Sequence, residues 1–130
     1  VIHPSDVGMT IGRGSTELRA ELVAAGVEVD GPAYARYHSW EKDSVDIEVG
    51  FEVAAPVDRD GVQNSTLTAG REAVAIHHGA YASIPKTFGA LEAWVAEHAE
   101  AREVGREVYL SDPDTVPMAE RVTEIVIPIV

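Results

Sequence analysis

The chain carries the same succession of elements twice, and that internal repeat limits the folds open to it more than any single motif does. Tyr37 in Ala35-Arg36-Tyr37-His38-Ser39-Trp40 stands where Tyr109 stands in Glu107-Val108-Tyr109-Leu110-Ser111-Asp112. Glu48-Val49-Gly50-Phe51 stands likewise where Glu124-Ile125-Val126-Ile127 stands. In the first copy, Val7 to Arg13 alternates weakly and predicts a short strand. Gly14-Ser15-Thr16 offers a helix N-cap. Glu17 to Ala25 is rich in helix formers, with Leu18 and Leu22 one turn apart, and Gly26 suits the left-handed position that closes a helix. Asp30-Gly31-Pro32 predicts a turn. Ala33 to Trp40 predicts the next strand, with Ala33, Ala35, Tyr37 and Ser39 on one face and Tyr34, Arg36, His38 and Trp40 on the other. Val45 to Val53 alternates cleanly: Val45, Ile47, Val49, Phe51 and Val53 oppose Asp46, Glu48, Gly50 and Glu52, the pattern of a half-buried antiparallel strand.

A polar linker, Pro56 to Gly70, separates the copies. Arg71 to His78 then predicts a strand, and Ser83 can cap a helix running to about Ala101. Within that helix Ile84, Phe88, Leu91 and Val95 form one apolar stripe at helical period. Arg106 to Leu110 and Arg121 to Val130 read as strands on either side of a turn at Ser111-Asp112-Pro113-Asp114. The order β-α-β-β, given twice, predicts a single α+β domain over residues 1–130, with repeat one at about 7–55 and repeat two at about 71–130. Its strands form two sheets, or one combined curved antiparallel sheet, with two helices packed against it. The groove between the halves is the default ligand cleft.

Charge and composition narrow the functions. Lys and Arg number 10 against 22 Asp and Glu, for a formal charge of −12. Such a chain repels phosphate backbones and anionic lipid, so neither nucleic acid nor a membrane is an expected partner. The acidity can steer a cationic small molecule inward, although a solvated acidic surface explains it as simply. The chain has no cysteine, hence no disulfide scaffold and no thiolate nucleophile. No basic, apolar leader is visible at Val1-Ile2-His3-Pro4 and no apolar run approaches the ~20 residues of a membrane span. Together these predict a cytoplasmic location.

Catalytic and metal motifs are sparse. Gly12-Arg13-Gly14 is a Gly-x-Gly in which Glu17 takes the third glycine's place, so no dinucleotide fingerprint forms. His77 and His78, adjacent on a strand, face opposite sides and cannot readily chelate one ion. We expect no metal and no cofactor. The informative element is Glu107-Val108-Tyr109: on a strand Glu107 and Tyr109 point one way, while Val108 and Leu110 point to the other, helix-packed face. A carboxylate beside a phenol can attract planar or cationic ligands, or do acid–base work if burial raises the carboxyl pKa. A solvent-exposed glutamate is the plainer reading. Tyr37 shares a sheet face with Ala35 as Tyr109 does with Glu107, so the repeat pairs two tyrosines around one acid. Trp40 at a strand end and Tyr81 at a strand-to-helix corner are further candidate walls. Asp46, Glu48, Glu52 and Glu124 face away from the apolar side of their strands, as a solvated sheet face or as part of the same groove.

The stretches GPAYARYHSW, DIEVGFEV, HHGAYASI, ALEAWVAEH, REVYLSDPD and TEIVIPIV, in this order from Gly31 to the C-terminus, resemble the GyrI-like small-molecule-binding domain. This is also the effector-binding domain of AraC-type and MerR-type multidrug regulators. The resemblance implies two repeats about a pseudo-twofold axis and a cleft along it with aromatic walls and a central glutamate. By position that glutamate is Glu107, Tyr109 and Tyr37 are its aromatic neighbours, and Trp40 and Phe51 stand farther out. Where the family strand usually ends GFPV, Glu52 replaces the proline. The regulators' helix-turn-helix is missing, which implies a stand-alone form or a fragment of a larger regulator. The expected function is binding or sequestration of amphipathic organic compounds, cationic or aromatic. Two alternatives follow from the family. Some stand-alone members hydrolyse cyclopropane-bearing toxic natural products, with a Glu activating water and a Tyr holding or protonating the substrate; Glu107 and Tyr109 are the matching pair. Other members inhibit DNA gyrase. The reading leans toward binding rather than catalysis.

Overall fold

A computed structural model describes residues 1–29 and 31–130; Asp30, in the turn expected before Pro32, lies outside the described residues. Among those residues are two helices, α1 (Val7–Ala24) and α2 (Ile84–His98), and five strands. The strands are β1 (Tyr34–Trp40), β2 (Val45–Gly50), β3 (Glu72–His78), β4 (Gly105–Tyr109) and β5 (Val122–Pro128). They form one antiparallel sheet in the order β2-β1-β4-β5-β3. The α+β class expected from the element pattern is the class observed.

The expected first strand is instead the start of α1. Val7, Ile11, Gly14, Leu18 and Leu22 recur at helical spacing and are among the partly or fully buried positions of this segment. The weak alternation of VGMTIGR hid that period. The expected cap at Ser15 and Thr16 lies inside the helix: Ser15 Oγ donates to the Ile11 carbonyl at 2.7 Å and Thr16 Oγ1 to the Gly12 carbonyl at 2.9 Å. Hydroxyls that bond back one turn satisfy themselves without breaking a helix. The C-terminus behaves as expected. Gly26 has φ 75°, its N–H donates to the Val23 carbonyl, and the Val27 N–H donates to the Leu22 carbonyl. That double bond is a Schellman closure, with Val27 packed against the Leu22 cluster. What remains of a leading strand is one residue: Ile2 and Val45 exchange both backbone hydrogen bonds on the free edge of β2.

Both helices cover one face of the sheet. At Gly14 α1 packs on the Val49 side chain, and the stripe Ile84, Phe88, Leu91 and Val95 of α2 is buried as its spacing predicted. The stripe meets Tyr37, Val45, Ala73, Ile125, Ile127 and Ile129 in the main core. Burying such aliphatic and aromatic side chains is worth about 1.5–3 kcal/mol each. Helix α2 ends at His98 rather than Ala101, and Ser83 sits at its N-cap without a capping bond, its hydroxyl donating to the Ala80 carbonyl instead. Strand β2 ends at Gly50, where the Tyr34 ring occupies the space of a side chain; Phe51 then leaves the strand for a second cluster with Leu22 and Val57.

The linker closes on itself through Asn64, whose side-chain amide exchanges two 2.8 Å hydrogen bonds with the Val57 backbone. It then reaches the sheet face opposite the helices, where Arg36 donates to the Thr66 carbonyl.

Gly105 opens β4 opposite Tyr37 with φ 129°, and a Cβ there would lie 2.8 Å from the Val126 carbonyl and 2.9 Å from the Phe88 ring. Gly105→Ala therefore combines backbone strain with overpacking and should lower unfolding free energy by about 1–3 kcal/mol. Urea unfolding checks this as a lower midpoint at an unchanged slope.

Candidate functional site

Strand alternation decides which residues of β4 meet the helices. Gly105, Glu107 and Tyr109 point to the helix-covered face, and Arg106 and Val108 point away. This reverses the expected assignment of Val108 and Leu110 to the helix-packed side: Val108 is half-buried on the far face, and Leu110, beyond the strand, is exposed. The physical reason is that Gly105 and Glu107 are the buried pair here, so an acid takes an inward position that composition alone assigns to an apolar residue.

Glu107 is 8% exposed. Its two oxygens each accept a phenol hydrogen bond, Oε2 from Tyr37 at 3.0 Å and Oε1 from Tyr109 at 2.8 Å. Tyr37 comes from β1, directly beside β4 in the middle of the sheet. Burial pushes the Glu107 carboxyl above its ordinary range. The two phenol donors and the nearby His77 ring pull the other way without cancelling that effect. The Tyr37 and Tyr109 hydroxyls are raised as well, by burial first and then by the adjoining carboxylate, so both remain protonated donors. Glu48, on the opposite sheet face, shows the contrast. Burial pushes it up too, but hydrogen bonds from His38, Tyr34 and Ser65 and the Arg36 charge outweigh that and hold it below its usual range. Of these two acids, Glu107 is the one left short of charge-stabilising partners.

Above Glu107 lies a cavity of about 1940 Å³ between α1 and α2. Glu107, Tyr109, Tyr37, Trp40, Phe51 and Tyr81, singled out in the sequence, all line it. Trp40 reaches it by an irregularity. Strand β1 shifts register between Tyr37 and Ser39, so that Ser39 opposes Asp46 and Trp40 opposes Val45. The extra residue, His38, turns to Glu48 on the far face, and Trp40 swings to the Tyr37 side, contrary to strict alternation. Its ring meets Tyr37 edge-on at 5.3 Å. Tyr81 leans on Tyr109 at 5.5 Å, and Phe51 lies under the Arg19 guanidinium at 4.8 Å. Asp46, Glu48, Glu52 and Glu124 do not line the cavity.

Residues of α1 form a wall that the sequence reading missed: it placed Gly8 and Gly12 on a strand and took Ser15, Thr16 and Ala20 only as the cap and body of a helix. Gly8, Gly12, Ser15, Thr16 and Ala20 present a row of small side chains to the cavity, and nothing lies within 4 Å of a Cβ built on Gly8 or Gly12. Their spacing of three to four residues was the available signal. Phe88, read only as core, also lines the space, edge-on to Tyr37 at 6.1 Å. Among the described residues no three His, Asp or Glu side chains gather as a metal site, and no helix is long and apolar enough to cross a membrane.

Residues 4–130 match the family model described as GyrI-like small molecule binding domain. No curated protein matches the chain.

The raised Glu107 carboxyl has a signed consequence. A folded-state pKa above the unfolded value means stability that is full below the unfolded value and is lost as pH rises through the folded one. Glu107→Gln removes that loss. Its melting temperature relative to the parent protein should therefore climb as pH rises above about 4.3. Tyr37→Phe deletes a donor to the carboxylate, so carbon-13 NMR should show Glu107 titrating at a still higher pH.

Proposed function

The chain belongs to the GyrI-like family of small-molecule-binding domains, and on that premise we propose that it binds amphipathic organic cations with aromatic or other apolar bodies in the cleft between α1 and α2. Charge is the observation that carries this reading. The charged residues lining the cleft are Glu92, Glu107, Asp112 and Asp114 against the single guanidinium of Arg19. The walls nearest Glu107 are rings, those of Tyr37, Tyr109, Tyr81, Phe88 and Trp40. Ring faces and a desolvated carboxylate both favour a cation that brings apolar surface with it. Rim acids concentrate such a ligand by long-range attraction, and Glu107, buried and raised, supplies the short-range selectivity. A cation settling beside Glu107 stabilises the ionised form, so the carboxyl gives up its proton as the ligand binds. Neutral compounds of the same shape keep the apolar contacts and lose that contribution.

A second reading is hydrolysis, favoured by the same raised carboxyl with the Tyr109 phenol 2.8 Å away. Glu107 would take a proton from water as the water oxygen bonds to one carbon of a strained ring; the adjoining ring C–C bond breaks, and Tyr109 would hold the substrate or protonate the carbon that this cleavage releases. Family likeness points this activity at cyclopropane-bearing electrophiles.

Titration of Trp fluorescence with a panel of lipophilic cations and their neutral isosteres separates these readings. For binding, Glu107→Gln should weaken the cations about tenfold or more, equal to about 1.4 kcal/mol, and leave the isosteres nearly unchanged. Affinity of the parent protein for a permanent cation should rise with pH through the Glu107 titration and be flat in Glu107→Gln. Equal losses for cation and isostere would remove the charge argument. New products from a cyclopropane electrophile, lost in Glu107→Gln with binding retained, would establish the hydrolase.

A further inference from the structure

The two edges of the sheet are treated differently. On β2, Val45 has its N–H and C=O taken by Ile2, and Asp46 and Glu48 put acids along the strand. On β3 the edge is open. The Gly79 N–H donates to the Arg121 carbonyl and the Ile129 N–H to the Arg71 carbonyl, which places the odd-numbered residues of this segment in hydrogen-bonded pairs with β5. The N–H and C=O groups of Glu72, Val74, Ile76 and His78 therefore point outward, and no turn or loop backbone among the described residues bonds to them. Val74 is 50% and Ile76 45% exposed on the face away from the helices. Within Glu72–His78 there is no lysine, no proline and no inward acid, the usual devices that keep an edge from pairing.

We propose that β3 is an interface for a second copy of this chain, joined antiparallel about Ala75 into a continuous ten-stranded sheet. The pattern of the strand is self-complementary in that register. Val74 opposes Ile76 of the second copy, and Glu72, whose carboxylate also pairs with Arg106 of its own chain at 2.7 Å, opposes its His78, acid against imidazole. All four residues are of the outward-bonding parity, so each opposed pair exchanges both backbone hydrogen bonds. A register slipped by one residue would set outward-bonding residues against inward-bonding ones. The twofold axis runs perpendicular to the sheet, so both copies keep their helices and clefts on the same side. The new contact lies on the strand edge and the far face, and leaves the cleft open. The net charge of −12 opposes association over long range. Pairing should therefore strengthen with salt, which screens that repulsion within about 10 Å at 0.1 M.

Light scattering across protein concentration reads the mass directly. The parent protein should pass from the mass of one chain toward that of two, at lower concentration in higher salt. Ile76→Lys should stay at one chain with its far-UV spectrum and melting temperature kept, since the side chain is exposed. The register is tested by disulfide formation, for which the chain starts clean with no cysteine. Opposed hydrogen-bonded residues lie about 5.5 Å apart between Cα atoms, inside disulfide range, whereas Val74 and its own copy lie about 9 Å apart on the diagonal. A mixture of Val74→Cys and Ile76→Cys should cross-link readily on oxidation and Val74→Cys alone poorly. A parent protein that stays at the mass of one chain at millimolar concentration in high salt overturns the proposal. So does an Ile76→Lys variant that still dimerises, or Val74→Cys alone cross-linking as well as the mixture.

Discussion

Glu107 carries its carboxyl group to a place where charge costs free energy, and two phenols make that tolerable. The acid sits on β4 at the centre of the sheet, and its hydrogen-bonding partners come from β4 itself and from β1 alongside. An apolar residue at that position would extend the core beneath α2 and reduce the cleft floor to packing. The acid instead requires donors, the donors are rings, and the rings need neighbours: Phe88 and Trp40 beside Tyr37, Tyr81 beside Tyr109. Much of the cleft's aromatic lining follows from satisfying one buried carboxyl.

The scaffold contributes openness. On the α2 side, large side chains fill the space down to the sheet; on the α1 side, Gly8, Gly12, Ser15 and Ala20 leave it vacant. Glycines within a helix weaken it by roughly 0.8–1 kcal/mol each relative to alanine. In α1 that loss is set against a Schellman closure at Gly26 and the anchoring of Leu22 with Phe51 and Val57. The result is a helix held at its C-terminal end and packed on Val49 at Gly14, whose cleft-facing side carries little bulk at these positions.

Much of the second half was legible along the chain. The stripe of α2, the strands around Ala73–His77 and Arg106–Tyr109, and the β-rich C-terminus have periods strong enough to survive any tertiary context. The first half was less so. Val7 to Arg13 holds β-branched residues and glycines in rough alternation, and its helical period emerges only when Val7 and Ile11 are read together with Leu18 and Leu22 downstream. Trp40 was placed on the wrong face because a bulge is a single inserted residue, and nothing in Tyr37-His38-Ser39-Trp40 distinguishes it from regular strand. Phe51 was read as strand because its alternation continues past Gly50, although the chain turns away where Tyr34 fills the space above that glycine.

The order of residues alone determined that this is a small acidic α+β domain, and it singled out Glu107, Tyr109, Tyr37, Trp40, Phe51 and Tyr81, because residue type and local period are properties of the chain. Tertiary structure decided that Glu107 points inward under the helices, that both its oxygens are held by phenols, and that α1 forms the second wall. Those outcomes depend on which strands become neighbours and which sheet face the helices cover, and such long-range choices are made by burial and packing across the whole fold.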